Sequence, residues 1–131
     1  MSSLVPKNLR SSPLYTKALE IFTLSRHVSK YLGYDLESLQ KNGSEDPHIY
    51  FTGDIVQQSN SLAPEIIKAE SKTFSEEKQI HTDSLTRLTN LLYKNCERLE
   101  FSNSNGKEFL QLLRSELKKF KKLQRSWMMT L

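Results

Sequence analysis

A chain of 131 residues with 37% hydrophobic and 26% charged residues has the size and composition of one soluble globular domain. Four glycines and four prolines are too few for a long disordered chain or a turn-rich β fold, and no apolar run approaches the roughly 20 residues that span a bilayer. A single cysteine excludes an internal disulfide, and a net charge of +4 leaves an acidic partner open.

Residues 1–12 are polar, carry Pro6, and read as a flexible N-terminal arm ahead of a helical domain over 13–131. Lys7 and Arg10 precede no apolar stretch of the signal-peptide kind, so a cytoplasmic location is expected. Ser12 and Pro13 suit the N-cap and first position of a helix. That helix is predicted over 14–32, because Leu14, Ala18, Ile21, Ser25, Val28 and Leu32 recur at steps of three and four. Tyr15, Leu19 and Phe22 widen the stripe, Lys17, Arg26 and Lys30 lie opposite, and Gly33 is the expected C-cap.

The connection over 34–47 ends in a cluster of turn residues from Lys41 to Pro47, with Tyr34, Leu36 and Leu39 suited to a short helical turn before it. Its Asn42-Gly43-Ser44 sequon carries no meaning without a secretion signal. A second helix is predicted over 48–72, with Ile49, Thr52, Val56, Ser59, Leu62 or Ala63, Ile66 and Ala69 inward. Pro64 removes a backbone donor and clashes with the carbonyl of Asn60, which implies a kink near Asn60-Ser61 or a break into two short helices. A third helix is predicted over 75–101, with acids at 76 and 77 favouring its start. Its seam reads His81, Leu85, Leu88, Leu92, Cys96 and Leu99, broadened by Leu91 and Tyr93. Cys96 on that side reads as a packed thiol, because apolar surroundings suppress the thiolate. The turn over 102–106 leads into a fourth helix from 107 almost to the C-terminus, with Phe109, Leu113, Leu117, Phe120, Leu123, Trp127 and Leu131 pointing one way. Four such helices predict an all-α, antiparallel up-and-down bundle, its second helix kinked at Pro64.

The fourth helix holds seven cations and two acids, a net +5 against −1 for the rest of the chain. Arg114, Lys118, Lys121 and Arg125 share one face, and Lys119 and Lys122 flank it. A row of cations on a helix tracks a phosphate backbone without a shaped pocket, and Lys17, Arg26 and Lys30 could extend it. The competing reading is a solvated outer face. The apolar end, Trp127 to Leu131, needs burial against its own bundle or a second subunit, which makes Trp127, Met128 and Leu131 candidate oligomer contacts.

No catalytic constellation emerges. A di-iron site needs two Glu-x-x-His pairs, and His27, His48 and His81 offer one match at most, Glu45 before His48. Three scattered histidines, four separated glycines and one cysteine form no triad, phosphate loop or zinc ligand set. The expectation is therefore no enzyme, no cofactor and no metal.

Tyr15-Thr16-Lys17-Ala18-Leu19-Glu20-Ile21 resembles the opening of a known four-helix-bundle family. Gln57-Gln58-Ser59 leading into Ser61-Leu62-Ala63-Pro64-Glu65-Ile66-Ile67-Lys68-Ala69-Glu70 is similar to its kinked second helix, and Asp83-Ser84-Leu85-Thr86-Arg87-Leu88 to its third. The family comprises ribosomal-RNA intervening-sequence proteins and the accessory variability (Avd) proteins of diversity-generating retroelements. Here one extra residue precedes Pro64, Glu65 stands for the usual Asn, and Ser71 for the usual Gly. The basic character and the segment Gln124-Arg125-Ser126-Trp127-Met128 point to the Avd branch. The resemblance implies a homo-oligomer, usually a pentamer, that assists a reverse transcriptase and its template RNA or RNA–DNA hybrid. It supplies no catalytic residue. The leading expectation is a nucleic-acid-binding scaffold; the alternative is a protein–protein adaptor with no nucleic-acid role, and a bundle enzyme or ligand binder stands third.

Overall fold

The computed structural model describes residues 12–36, 49–101 and 106–131, with side chains at 12–32, 52–101 and 106–131. The expected arm up to Ser11, the turn cluster from Lys41 to Pro47 with its sequon, and the turn residues 102–105 lie outside the described residues. Within them the chain is all-helical and has no strand: α1 is Pro13–Leu36, α2 Ile49–Asn60, α3 Leu62–Ser71, α4 Ser75–Glu100 and α5 Lys107–Met128. Only Ser61 separates α2 from α3, so the two count as one interrupted arm and the fold has four arms. Each arm packs on two others: α1 lies against α2 and α5, and α4 lies against α2, α3 and α5.

α1 begins at Pro13, whose missing N–H costs nothing in a first turn, and the Thr16 amide donates to the Ser12 carbonyl at 3.0 Å. Its six stripe residues from Leu14 to Leu32 are all buried, Ser25 among them. The helix does not stop at Gly33 as expected; it continues to Leu36. A glycine in a helix costs only about 1 kcal/mol relative to alanine, and no proline follows until Pro47.

The interruption at Ser61 follows from Pro64. Asn60 loses the amide that its carbonyl would have accepted, and the Ser61 amide donates instead to Gln58 at 3.2 Å, a tighter three-residue step. Ser61 keeps helical dihedrals, φ −84° and ψ −10°, and its hydroxyl donates to the Gln57 carbonyl at 3.0 Å. Thr52, Ile55, Ser59, Leu62, Ile66 and Ala69 face the core, which moves the inner line of α2 from Val56 to Ile55.

On α4 the buried residues are Thr82, Leu85, Thr89, Leu92, Asn95, Cys96 and Leu99, so His81 and Leu88 lie at the rim and Leu91 is half exposed. The buried threonines stay satisfied locally: Thr82 donates to the Gln79 carbonyl at 3.0 Å and Thr89 to the Leu85 carbonyl at 2.7 Å. On α5 the inward line is Leu110, Leu113, Leu117, Phe120, Gln124 and Trp127. Phe109, expected inside, is 46% exposed and packs against Tyr31 of α1 with the rings tilted at 59° and their centroids 5.1 Å apart.

Cys96 is fully buried in this core. Burial pushes its thiol up to about 12, the negative charge of Glu100 adds to the shift, and Arg114 opposes it. At pH 8 Ellman's reagent should therefore leave the native thiol unmodified, because burial both shields it and keeps it protonated, whereas the urea-unfolded chain should react readily, its thiol having the free value of about 8.5. Rapid labelling of the native protein at neutral pH would show that the core around Cys96 opens.

Candidate nucleic-acid interface on the α4–α5 face

The apolar line of α5 turns its cations away from the core, and the structure sorts them into two groups. Arg114 belongs to the first. Its Nη2 donates to Glu100 Oε1 at 2.7 Å, its Nε lies 2.6 Å from Oε2, and its Nη1 donates to the Tyr93 hydroxyl at 3.2 Å. Both partners sit on α4, so Arg114 ties α5 to α4. The hydrogen bonds to Glu100 and then Tyr93 raise its already high pKa against the opposing effect of burial. Lys17 belongs here too. It bridges Glu20 at 2.8 Å and Glu116 of α5 at 3.2 Å, with its side chain 19% exposed. The Glu20 bond is the main cause of its raised pKa, burial works against it, and Glu116 adds to it.

The second group faces solvent. Lys118, Lys122 and Arg125 are exposed and have no ion-pair partner among the described residues. Lys121 is half-buried with its Nζ 4.8 Å from the centroid of the Tyr93 ring, a cation–π contact. Lys119 pairs loosely with Glu116 at 3.6 Å. Arg26 and Lys30 of α1 do not join this face. They line a separate groove with Thr23 and His27, and the Arg26 guanidinium lies 5.7 Å from the Phe22 ring.

Beside the free cations runs a cleft between α4 and α5, about 160 Å³ in volume, lined by Thr86, Thr89, Asn90, Lys121, Gln124, Arg125 and Met128. The Thr86 hydroxyl donates to the Thr82 carbonyl at 3.0 Å, and Gln124 Nε2 donates to Thr86 Oγ1 at 2.9 Å. Periodicity alone could not find this cleft, because Gln124 interrupts an apolar line and Thr86, Thr89 and Asn90 lie off the apolar seam of α4.

The expected oligomer contacts separate as well. Trp127 is buried within its own bundle, 8% exposed, and its indole N–H donates to Glu70 Oε1 of α3 at 2.7 Å. Met128 is 37% and Met129 88% exposed, while Leu131 is partly buried against the core. The Thr130 amide and hydroxyl both bond the Trp127 carbonyl, at 3.0 and 2.7 Å, which ties down the last turn.

Among the described residues no group of three or more His, Cys, Asp or Glu side chains could hold a metal ion, and no helix is long and apolar enough to cross a membrane. Comparison with known protein families, curated proteins and solved structures finds no match to this chain.

Trp127 should act as an intramolecular anchor. Trp127→Phe is expected to lower the unfolding free energy by about 1 kcal/mol through the lost indole hydrogen bond. Trp127→Ala should cost about 3 kcal/mol or more, the usual penalty for emptying an aromatic site. Urea denaturation reads both. Light scattering should give wild type and Trp127→Phe the same mass; a lower mass for the variant would place the indole at a subunit contact.

Proposed function

We propose that this chain is a non-enzymatic nucleic-acid-binding accessory protein that holds RNA, or an RNA–DNA hybrid, along α5. The observation that carries the reading is the row Lys118, Lys121, Lys122 and Arg125 on one side of α5, three of its members without an intramolecular partner among the described residues. A cation already locked to a carboxylate has little left to offer a phosphate. A free one displaces condensed counterions when it docks, and that release drives binding. Arg114 stays with the fold, and its pair with Glu100 holds α5 against α4 beneath the row.

The finer features belong to the same proposal. An antiparallel up-and-down order fits Glu65–His81 with Gln58–Asn95, Tyr93–Arg114 with Thr86–Gln124, and Lys17–Glu116 with Tyr31–Phe109, in each of which numbers rise along one helix as they fall along its neighbour, and a kink of the second arm at Pro64 fits the interruption between α2 and α3 at Ser61. The family resemblance adds a pentameric assembly and a reverse transcriptase as partner. Exposed Met128 and Met129, with Leu131, would supply subunit contacts while Trp127 stays inside its own subunit.

The test is a salt series. Lys118→Gln, Lys121→Gln, Lys122→Gln and Arg125→Gln together should leave the circular dichroism unchanged, because Gln is a good helix former and Arg114 is untouched. Affinity for single-stranded RNA should fall, and the log–log salt slope should shrink by up to about 3 units, roughly 0.7 per lost phosphate contact. The loss should be similar for unrelated sequences. Equal affinity and slope in wild type and variant would transfer the protein to the adaptor reading.

A further inference from the structure

The α4–α5 cleft has a polarity that can be derived proton by proton. Thr86 has one hydroxyl proton, and it goes to the Thr82 carbonyl. Its oxygen can therefore only accept from Gln124, so Gln124 must present its amide NH2 there, as the 2.9 Å contact requires. That fixes the orientation of the Gln124 amide and leaves its Oε1 as an acceptor with no partner among the described residues. Thr89, also in the wall of the cleft, has likewise committed its proton, to the Leu85 carbonyl at 2.7 Å, so its hydroxyl oxygen can only accept. The Met128 sulfur, 3.9 Å from Gln124 Nε2, adds a weak acceptor and a polarizable apolar surface. The polar groups of the floor accept and do not donate.

The rim is the opposite. Lys121 and Arg125 bring only donors and positive charge, and Asn90, which has no partner among the described residues, offers both a donor and an acceptor. A cleft of about 160 Å³ has room for one six-membered ring, since a cavity of about 150 Å³ holds a benzene. A ligand that fits has a flat ring, an amino group to give to the floor, and an anion next to it for the rim.

We propose that the cleft seats one unpaired nucleobase bearing an exocyclic amino group, from a single strand whose phosphates run past Lys121 and Arg125. This rests on the RNA-binding reading above and adds to it a sequence preference that phosphate contacts alone cannot give. Single-stranded RNA is read by splaying bases out and bonding their edges. Cytosine and uracil make the cleanest comparison, because they differ only along one edge, where cytosine has a bare N3 acceptor beside its amino group and uracil an N3–H donor beside its carbonyl. Cytosine carries an amino donor where uracil carries a carbonyl acceptor. A carbonyl there would face Gln124 Oε1 and Thr89 Oγ1, acceptor against acceptor, and would leave uracil only its N3–H for one of them, whereas the cytosine amino group has a proton for each.

The experiment is fluorescence anisotropy with three labelled RNA strands of about twelve nucleotides: oligocytidylate, oligouridylate and an abasic strand. Wild type should bind oligocytidylate about tenfold more tightly than the other two at one salt concentration, the worth of one or two hydrogen bonds. The salt slopes of the three should be equal, because their phosphates are the same. Thr89→Val removes the acceptor at nearly constant shape and Gln124→Met removes it at nearly constant volume. Either should bring oligocytidylate close to oligouridylate while keeping the salt slope. Should Gln124→Met prove poorly folded by circular dichroism, Thr89→Val carries the test. Equal binding of all three strands by the wild type, with a normal slope, overturns the base site and leaves phosphate tracking standing. No binding of any strand at low salt removes the RNA reading and this inference with it. Cytidine monophosphate competing as well as the strand, per nucleotide, would assign the cleft to a free nucleotide and overturn the strand.

Discussion

Burial of the α5 stripe fixes the rotation of that helix about its axis, and the rest of the surface chemistry depends on that angle. Leu110, Leu113, Leu117 and Phe120 are fully buried. Each such side chain contributes roughly 1.5–3 kcal/mol when taken out of water. Turning the helix by one residue would expose these and push lysines toward the core, where an unpaired charge costs far more than any surface contact returns. The cations therefore lie where the core leaves them. Those at the edge of the stripe find carboxylates and rings on neighbouring helices, as Arg114 finds Glu100 and Tyr93. Those further round face water.

This division has an energetic side. Exposed ion pairs contribute little to stability, so Lys119 beside Glu116 contributes about as much as a solvated lysine would. The Arg114 cluster differs because it is half-buried, hydrogen-bonded to Glu100 through Nη2 and shared with an aromatic hydroxyl. Tyr93 touches cations at two levels of α5, with Arg114 5.6 Å and Lys121 4.8 Å from its ring centroid. One phenol thus couples a fold-holding guanidinium to an ammonium of the outward row.

Much of the fold was legible in the sequence, and the misses have physical causes. α1 follows its periodicity at every stripe position because nothing in it competes with the 3.6-residue repeat. On α5 the line runs through Leu110 and Gln124 where apolar character alone favoured Phe109 and Leu123. A step of three and a step of four look alike in sequence, and the packed neighbour decides between them. Gly33 read as a stop because glycine is common past helix ends, yet it is only mildly unfavourable within one. The cationic row could be seen in the sequence. Which of its members were already occupied could not, because Glu100, Tyr93 and Glu116 are distant or lie on other helices and carry no mark of pairing. Trp127 shows the same limit: an apolar chain end announces that it must be covered, but only the fold names Glu70 as its partner.

The polar side chains where α4 meets its neighbours fall into two kinds with different evolutionary latitude. Thr82 and Thr89 spend their protons on their own helix. Either could drift to valine or alanine without stranding a polar atom elsewhere, so a single mutation suffices to cross. Asn95 donates across to Gln58 at 3.0 Å, and Gln124 across to Thr86. Losing one member of such a pair leaves its partner short of a bond, and the second change is then favoured by the first. Among diverging copies of this gene, positions 58 and 95 should change in step, as should 86 and 124, whereas 82 should wander alone. Position 89 would be equally free on packing grounds, so constancy there would have to be imposed by something outside the bundle.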